Sequence, residues 1–346
     1  MGFETPIVSV IIPLYNSEEY IEKAIYSLSL QTFNDMEIII IDDCSTDKSF
    51  EIVRQIKEQT EIGKKIKIIK LNTNKGVSNA RNIGLRMSRG KYVTFMDNDD
   101  MLVPNALEIF VNLAEDNKAD VIHTHSHYEN KDANGNITEG TFMAASFERG
   151  NKKRLKEPAY YLTNDMKERM TEFSNFCIDW NVWGKLFNRD FLMMNNIQFP
   201  KIHFTEDLLF VFQCLMHAKK YILVPEVLYI YRYRNDSTLR GEARDKKFLK
   251  NMIGVQIEGT KLMNEFMEKI KYFQENPGDK LIALQFYMNL EMMSTRAMHR
   301  RLKNDETYFE TLIEIYKEHF GADATFLALM HKEANYIITE AKEQIR

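Results

Sequence analysis

The chain has 346 residues, more than one ordinary core holds, so a large α/β domain with an appended helical region is the expected arrangement. Hydrophobic residues make up 44% and charged residues 28%, as in globular proteins, and a formal net charge of −4 argues against a nucleic-acid binder, which needs a basic excess. The 3 cysteines (Cys44, Cys177, Cys214) are odd in number and too scattered for a disulfide frame or a zinc knuckle, which fits a reducing cytoplasm.

Met1 to Pro6 carries Glu4 and no basic segment, so no signal peptide is expected, and no apolar run approaches the roughly 20 residues of a spanning helix. Val8 to Pro13 is apolar apart from Ser9 and rich in β-branched residues, as a strand buried on both faces should be. Ser17 is placed to cap a helix whose apolar face is Tyr20, Ile21, Ala24, Ile25 and Leu28. Met36 to Ile41 is a second strand, Ser45 to Ile56 leads into a second helix, and Ile66 to Leu71 is a third strand. Val77 to Met87 is helical and Tyr92 to Met96 is a fourth strand. That rhythm implies right-handed crossovers and a mostly parallel, Rossmann-like sheet with helices on both faces.

Further on, Pro104 to Leu113 reads as a helix, Ala119 to His127 as a strand, and Asn130 to Asn136 as a turn. Residues 140–170 are polar and weakly periodic, which suggests a loop or lid. Glu206 to Ala218 is helical, and Tyr221 to Tyr233 reads as strands broken at Pro225. From Asp245 onward the pattern is helical, with Leu281 to Met298 apolar on more than one face. The division is therefore 1–240, itself split near 105 into two halves, and a helical region at 241–346. The apolar excess of that region favours self-association.

Ligands of an open parallel sheet bind beyond the carboxyl ends of its strands. Pro13-Leu14-Tyr15-Asn16, Asp42-Asp43-Cys44-Ser45 and Asp97-Asn98-Asp99-Asp100 fall there. Bunched carboxylates repel unless a cation sits among them, and oxygen ligands suit Mg²⁺ or Mn²⁺ bound with substrate phosphates. A lone Asp-x-Asp is more often a helix cap, and Asp42 and Asp43 have the same plain alternative. No Gly-rich dinucleotide or phosphate loop follows any of these strands.

In order, Val8 to Asn16, Gln31-Thr32-Phe33, Ile41 to Asp47, Asn74 to Gly84 and Gly90 to Asp100 closely resemble the donor-binding half of glycosyltransferase family 2, of the GT-A fold. The resemblance spans about residues 7–240. It implies an inverting transferase that moves a sugar from a nucleotide diphosphate, with UDP the expected nucleotide, to a hydroxyl of a glycan or lipid-linked acceptor in surface polysaccharide synthesis. It places Pro13 and Tyr15 at the base, Asp43 on the uracil, and Arg81 at base or phosphate. Asp97 falls at ribose or metal water, and Asp99 on Mn²⁺ or Mg²⁺, with Asp100 a weaker candidate.

Thr205-Glu206-Asp207 resembles the family's acidic segment, with Asp207 as base and Glu206 toward the acceptor. Trp183 would stack on the acceptor sugar or sit in the core, and Lys185 would pair with phosphate. Arg234 and Asn235 stand where some members carry a metal-ligating histidine, which points Arg234 at the diphosphate. His123, His125 and His127 alternate on one strand as a remote zinc candidate. Arg296, Arg300, Arg301 and Lys303 form a basic face that suits either solvent or an anionic lipid surface. The expected setting is cytoplasmic, with peripheral contact at the inner membrane face open. The rival reading is a non-catalytic nucleotide-fold module that binds partners through its C-terminal helices.

Overall fold

A computed structural model describes residues 5–131, 137–142, 160–161, 164–174, 178–232, 246–288 and 306–321. The chain divides into two compact units, Met1–Tyr233 and Arg234–Arg346.

The first unit begins as the periodicity predicts: β1 (Val8–Leu14), α1 (Ile21–Ser29), β2 (Met36–Asp42), α2 (Ser49–Gln59), β3 (Ile66–Lys70), α3 (Val77–Met87) and β4 (Tyr92–Phe95). It continues through β5 (Met101–Leu102), α4 (Ala106–Asn117), β6 (Val121–Lys131), β7 (Ile137–Phe142), β8 (Tyr160–Tyr161) and α5 (Met166–Ser174). β9 (Lys185–Asn188), α6 (Arg189–Met194), α7 (Glu206–His217) and β10 (Tyr221–Arg232) complete it. One sheet runs β3-β2-β1-β4-β9-β6-β10-β5, with β7 on β6 and β8 on β10. β3, β2, β1 and β4 are parallel, β6 and β10 are parallel, and β9 joins the two groups by antiparallel pairing to β4 and β6.

The pleat, with both faces covered, explains why β1 and β2 are buried at every position and mostly apolar. Val8, Val10, Ile12, Leu14, Ile38 and Ile40 pack with Ile21, Ile25, Leu28, Val53, Leu107 and Phe110 of α1, α2 and α4. Ile39 and Ile41 point to the other face, against Ala80 of α3. There α3 lies so close to β1 that a Cβ at Gly84 would stand 2.4 Å from the Ile11 side chain.

Three local expectations are corrected. The Ser17 side chain does not cap α1; its carbonyl accepts from Tyr20 and Ile21, and its hydroxyl turns to Asn98 and the Tyr15 carbonyl. The region expected to be a loop, 140–170, holds β8 and ends inside α5, where Arg169 and Met170 are buried. β10 is one strand across Pro225, because the ladder to β6 shifts register between Leu223 and Val227 and resumes, so the missing proline N–H is absorbed at an irregularity.

The second unit contains α8 (Lys246–Glu268), α9 (Lys271–Glu275), α10 (277–288) and α11 (Glu306–Phe320). Gly259 of α8 gives the Tyr287 hydroxyl of α10 room that a Cβ would close, and Lys250 pairs with Glu318 of α11 at 2.5 Å. No helix among the described residues is long and apolar enough to cross a membrane.

Candidate active site

The carboxyl ends of β1, β2 and β4 lie side by side, so the loops leaving them form one edge. Hydrogen bonds lock these loops to one another. Asn16 accepts from the Thr46 amide at 2.9 Å and donates its own amide to the Ser45 hydroxyl at 3.1 Å. Asn98 donates to the Pro13 carbonyl at 2.9 Å and accepts from the Ser17 hydroxyl at 2.5 Å. Asn16 and Cys44 both hold positive φ, at 44° and 66°, in the left-handed region that few side chains occupy without support. Pro13 is buried, whereas Tyr15 is 45% exposed at the rim.

Asp43 is buried at the end of β2, and its two oxygens accept from the amides of Lys75 at 2.8 Å and Gly76 at 2.7 Å. It therefore ties the turn before α3 to β2 and does not cap α2. Asp42 accepts from the Ser45 amide at 3.2 Å.

After β4, Asp97, Asp99 and Asp100 each bring a carboxylate oxygen within 4.8 Å of the others, a grouping that could hold a metal ion. None of the three caps α4, whose N-cap is Asn105. Asp100 is fully buried, and its oxygens accept from the Tyr229 hydroxyl at 2.7 Å and the Arg232 amide at 2.9 Å. Burial, with Asp99 and Asp97 adding to it, pushes the Asp100 carboxyl well above the usual range. Asp100 is thus a brace of the turn, and Asp97 and Asp99 are the half-exposed members that face outward. Oxygen-only donors of this kind fit a hard divalent cation that keeps water and phosphate ligands.

Arg81 lies on α3 and is 3% exposed. One terminal nitrogen donates to Asp97 at 2.8 Å; the other donates to Asp207 at 2.6 Å and Glu206 at 3.1 Å. Glu206 and Asp207 open α7, directly after Phe204 and Thr205, which both hold positive φ. One guanidinium faces three carboxylates, so the group is short of positive charge. Burial first, then the charges of Glu206 and Asp97, raise the Asp207 carboxyl to about 7 against the pull of Arg81. Burial likewise raises Glu206. The helix N-terminus alone would lower Asp207, so desolvation and like charge win here. Its side chain remains 18% exposed, which leaves an approach for a proton.

Lys185 is 1% exposed, with Nζ bonded to the Asn181 carbonyl, and burial pulls its pKa down to about 8. Trp183 stacks on Tyr229 at 4.8 Å and 10° and on Tyr231 at 5.6 Å, so it packs on the core while staying half-buried. His123 contacts the Tyr221 hydroxyl at 3.2 Å, and its Nε2 lies 3.9 Å from Asp179. A carboxylate thus does approach these histidines, although the sequence spacing showed none. Burial, with Lys185 adding to it, pulls His123 down to about 3. Arg234, Asn235, the His127 side chain, Cys177 and the basic face at Arg296 to Lys303 lie outside the described residues.

Sequence reasoning missed Tyr229, Arg232 and Asn98 as braces of the site. Tyr229 accepts from the Asp97 amide at 3.1 Å while donating to Asp100. Arg232 donates through Nε to the Asp99 carbonyl and sets its guanidinium over the Tyr20 ring. No local pattern marks a tyrosine 129 residues from its partner.

The model of the family described as "Glycosyl transferase family 2" matches residues 9–173. The glycosyltransferase EpsJ of Bacillus subtilis is 30% identical over 233 residues, covering 67% of this chain and 62% of that protein. The poly(ribitol-phosphate) beta-glucosyltransferase of Bacillus spizizenii is 28% identical over 307 residues, covering 86% of this chain and 42% of that protein. The chain thus spans less than two thirds of the length of either relative. The crystal structure of S. aureus TarS 1-349 in complex with UDP-GlcNAc superposes with a TM-score of 0.67 at 20% identity, covering 98% of this chain and 92% of that one. That likeness makes the fold GT-A-like, with a helical region after the sheet. By their motifs and the family model that matches them, residues 9–173 belong to glycosyl transferase family 2.

Proposed function

We propose that the chain is an inverting glycosyltransferase that uses a nucleotide diphosphate sugar, with UDP as the nucleotide. The observation that carries this reading is the pairing, through Arg81, of the Asp-x-Asp turn with Asp207, a carboxylate at about 7 that remains partly open. A group near neutrality can take a proton from a hydroxyl and release it again. The TarS structure holds UDP-GlcNAc on the same fold, and one relative is named for glucosylating poly(ribitol-phosphate), which supports a UDP-sugar donor and a surface glycan acceptor. The intact carboxylates disfavour the non-catalytic reading.

In this reading the donor lies along the β1, β2 and β4 edge. Tyr15 packs on the base, Pro13 shapes the pocket floor, and Asp43 accepts from the uracil imide. Asp97 and Asp99 hold a divalent cation, Mn²⁺ or Mg²⁺, whose chemistry is to neutralise the diphosphate. Asp207 takes the acceptor proton as the acceptor oxygen bonds to the anomeric carbon. The bond from that carbon to the diphosphate oxygen breaks, its electron pair leaves with the nucleotide, and the configuration inverts. Glu206 and Trp183 face the acceptor. Lys185, inside the fold, supplies positive potential toward the departing charge, and Arg234 reaches the diphosphate. The setting is the cytoplasm, where a lipid-linked acceptor would bring the protein to the inner membrane face.

Calorimetric titration of uridine diphosphate, with and without Mn²⁺, tests the donor site. We expect metal-dependent binding that Asp99→Ala weakens at least about tenfold, roughly 1.4 kcal/mol. Equal binding by wild type and Asp99→Ala in both conditions would remove the metal assignment, and no binding at all would remove the donor reading.

A further inference from the structure

We propose that Arg81 is a positioning residue that holds the base Asp207 at a set place relative to Asp97 and does not itself touch the donor; this rests on the function proposed above. Arg81 lies on the inward face of α3 with Ser78 and Asn82, at the spacing that makes neighbours on a helix. All three side chains reach the segment that ends in Glu206 and Asp207. Asn82 exchanges hydrogen bonds with the backbone of Phe199 at 2.8 and 2.9 Å, and Ser78 donates to the Ile202 carbonyl at 3.4 Å. α3 is therefore the surface against which the acidic segment is assembled.

Within that contact Arg81 alone spans both sides of the site. Its fork reaches Asp97, 16 residues away, through one nitrogen, and Glu206 and Asp207, more than 120 residues away, through the other. The planar guanidinium fixes the angle between its two nitrogens, so it fixes the two carboxylates relative to one another. Behind it lies the Phe199 ring, 5.3 Å from the guanidinium carbon, and Phe199 in turn stacks on Phe210 at 4.0 Å and 8°. An arginine that bound substrate would leave its nitrogens open. This one is 3% exposed, with both terminal nitrogens spent on protein carboxylates. Its Nε is buried too, without a hydrogen bond, so a donor phosphate would have to enter this closed contact to reach the guanidinium.

The displacement of a base by about 1 Å costs on the order of 100-fold in rate without weakening a ligand bound elsewhere. That separates positioning from donor contact. The experiment measures UDP affinity by calorimetry with Mn²⁺, and UDP release from UDP-GlcNAc and UDP-glucose with water as acceptor, across pH 5 to 9. The proteins are wild type, Arg81→Gln, Arg81→Lys and Phe199→Leu, each checked by thermal melting. We expect Arg81→Gln to lose about 100-fold in turnover with UDP affinity within about threefold, and its acid limb to move to higher pH. Arg81→Lys keeps the charge but not the fork, so turnover should recover to about tenfold below wild type with the limb restored. Phe199→Leu leaves every charged group in place and should lower turnover severalfold at unchanged affinity; it decides the matter if Arg81→Gln fails to fold.

UDP affinity lost at least tenfold in Arg81→Gln, with turnover at saturation near wild type, would make Arg81 a donor contact and overturn the proposal. Unchanged turnover in Arg81→Gln, or in Phe199→Leu where the first variant does not fold, would overturn it equally. In both cases wild type still binds and cleaves the donor, so the functional reading stands. A wild type that neither binds UDP nor releases it would sink that reading, and the positioning role with it.

Discussion

At the scale of single residues, the chemistry turns on carboxylates placed where charge is costly. Asp207 stands at about 7 because burial and two neighbouring acids outweigh one arginine. A carboxyl raised above its unfolded value of about 3.8 contributes stability that is present below that value and lost as pH rises through 7. Asp207→Asn removes that cost, so it should abolish transfer while raising the melting temperature, more at pH 8 than at pH 5. The gain is on the order of 1–3 kcal/mol, and UDP affinity should hold within about threefold. A melting temperature that falls equally at both pH values would contradict the assigned shift. His123 has the opposite sign. Held at about 3 against an ordinary 6.5, it contributes stability present above 6.5 and lost as pH falls toward 3. His123→Leu should therefore flatten the loss of urea resistance between pH 6.5 and 4, read as the slope of the urea midpoint against pH.

Among the elements, α3 connects the two halves of the site. Its outward turn begins at Gly76, at φ 85°, whose amide is held by Asp43, and its far end passes over β1 at Gly84. Alanine at Gly84 would gain about 1 kcal/mol in helix propensity, yet its Cβ would meet the Ile11 side chain at 2.4 Å. Ile11 is β-branched and fully buried, so it cannot turn aside cheaply. The clash should win: Gly84→Ala should lower stability by about 1–3 kcal/mol in denaturant melts and move Arg81 away from Asp97, with turnover falling alongside. The strand periodicity and helix faces of this half were legible because each depends on neighbours a few residues apart. The unbroken course of β10 through Pro225 was not, because a proline is tolerated only where the partner strand already slips register, and β6 lies about 100 residues earlier.

For the whole molecule, every described candidate residue lies in the unit Met1–Tyr233, while the helices from Lys246 onward form a unit of their own. A chain of residues 1–240, which keeps Arg234, should bind UDP and Mn²⁺ within about fivefold of the full chain. Calorimetry on both checks this, and loss of binding in a folded shorter chain would assign part of the donor site to the helical unit.

The alternation of strands and helices from β1 to β4, the edge at which a ligand would bind, and the motifs Asp43, Asp97 to Asp100 and Glu206-Asp207 were determined by the sequence itself. The elements follow from periodicity, the acidic motifs stand out by their resemblance to the family, and a parallel sheet always presents the carboxyl ends of its strands to the ligand. Only the tertiary structure decided which of these acids come close enough to one another to hold a cation, which one braces the turn, and which has its carboxyl raised toward neutrality. Arg81 and Asp207 are 126 residues apart, Tyr229 and Asp100 129 apart, and no local pattern encodes a contact across such a distance. The shift at Asp207 depends on how much water the finished fold removes and how many charges it brings together.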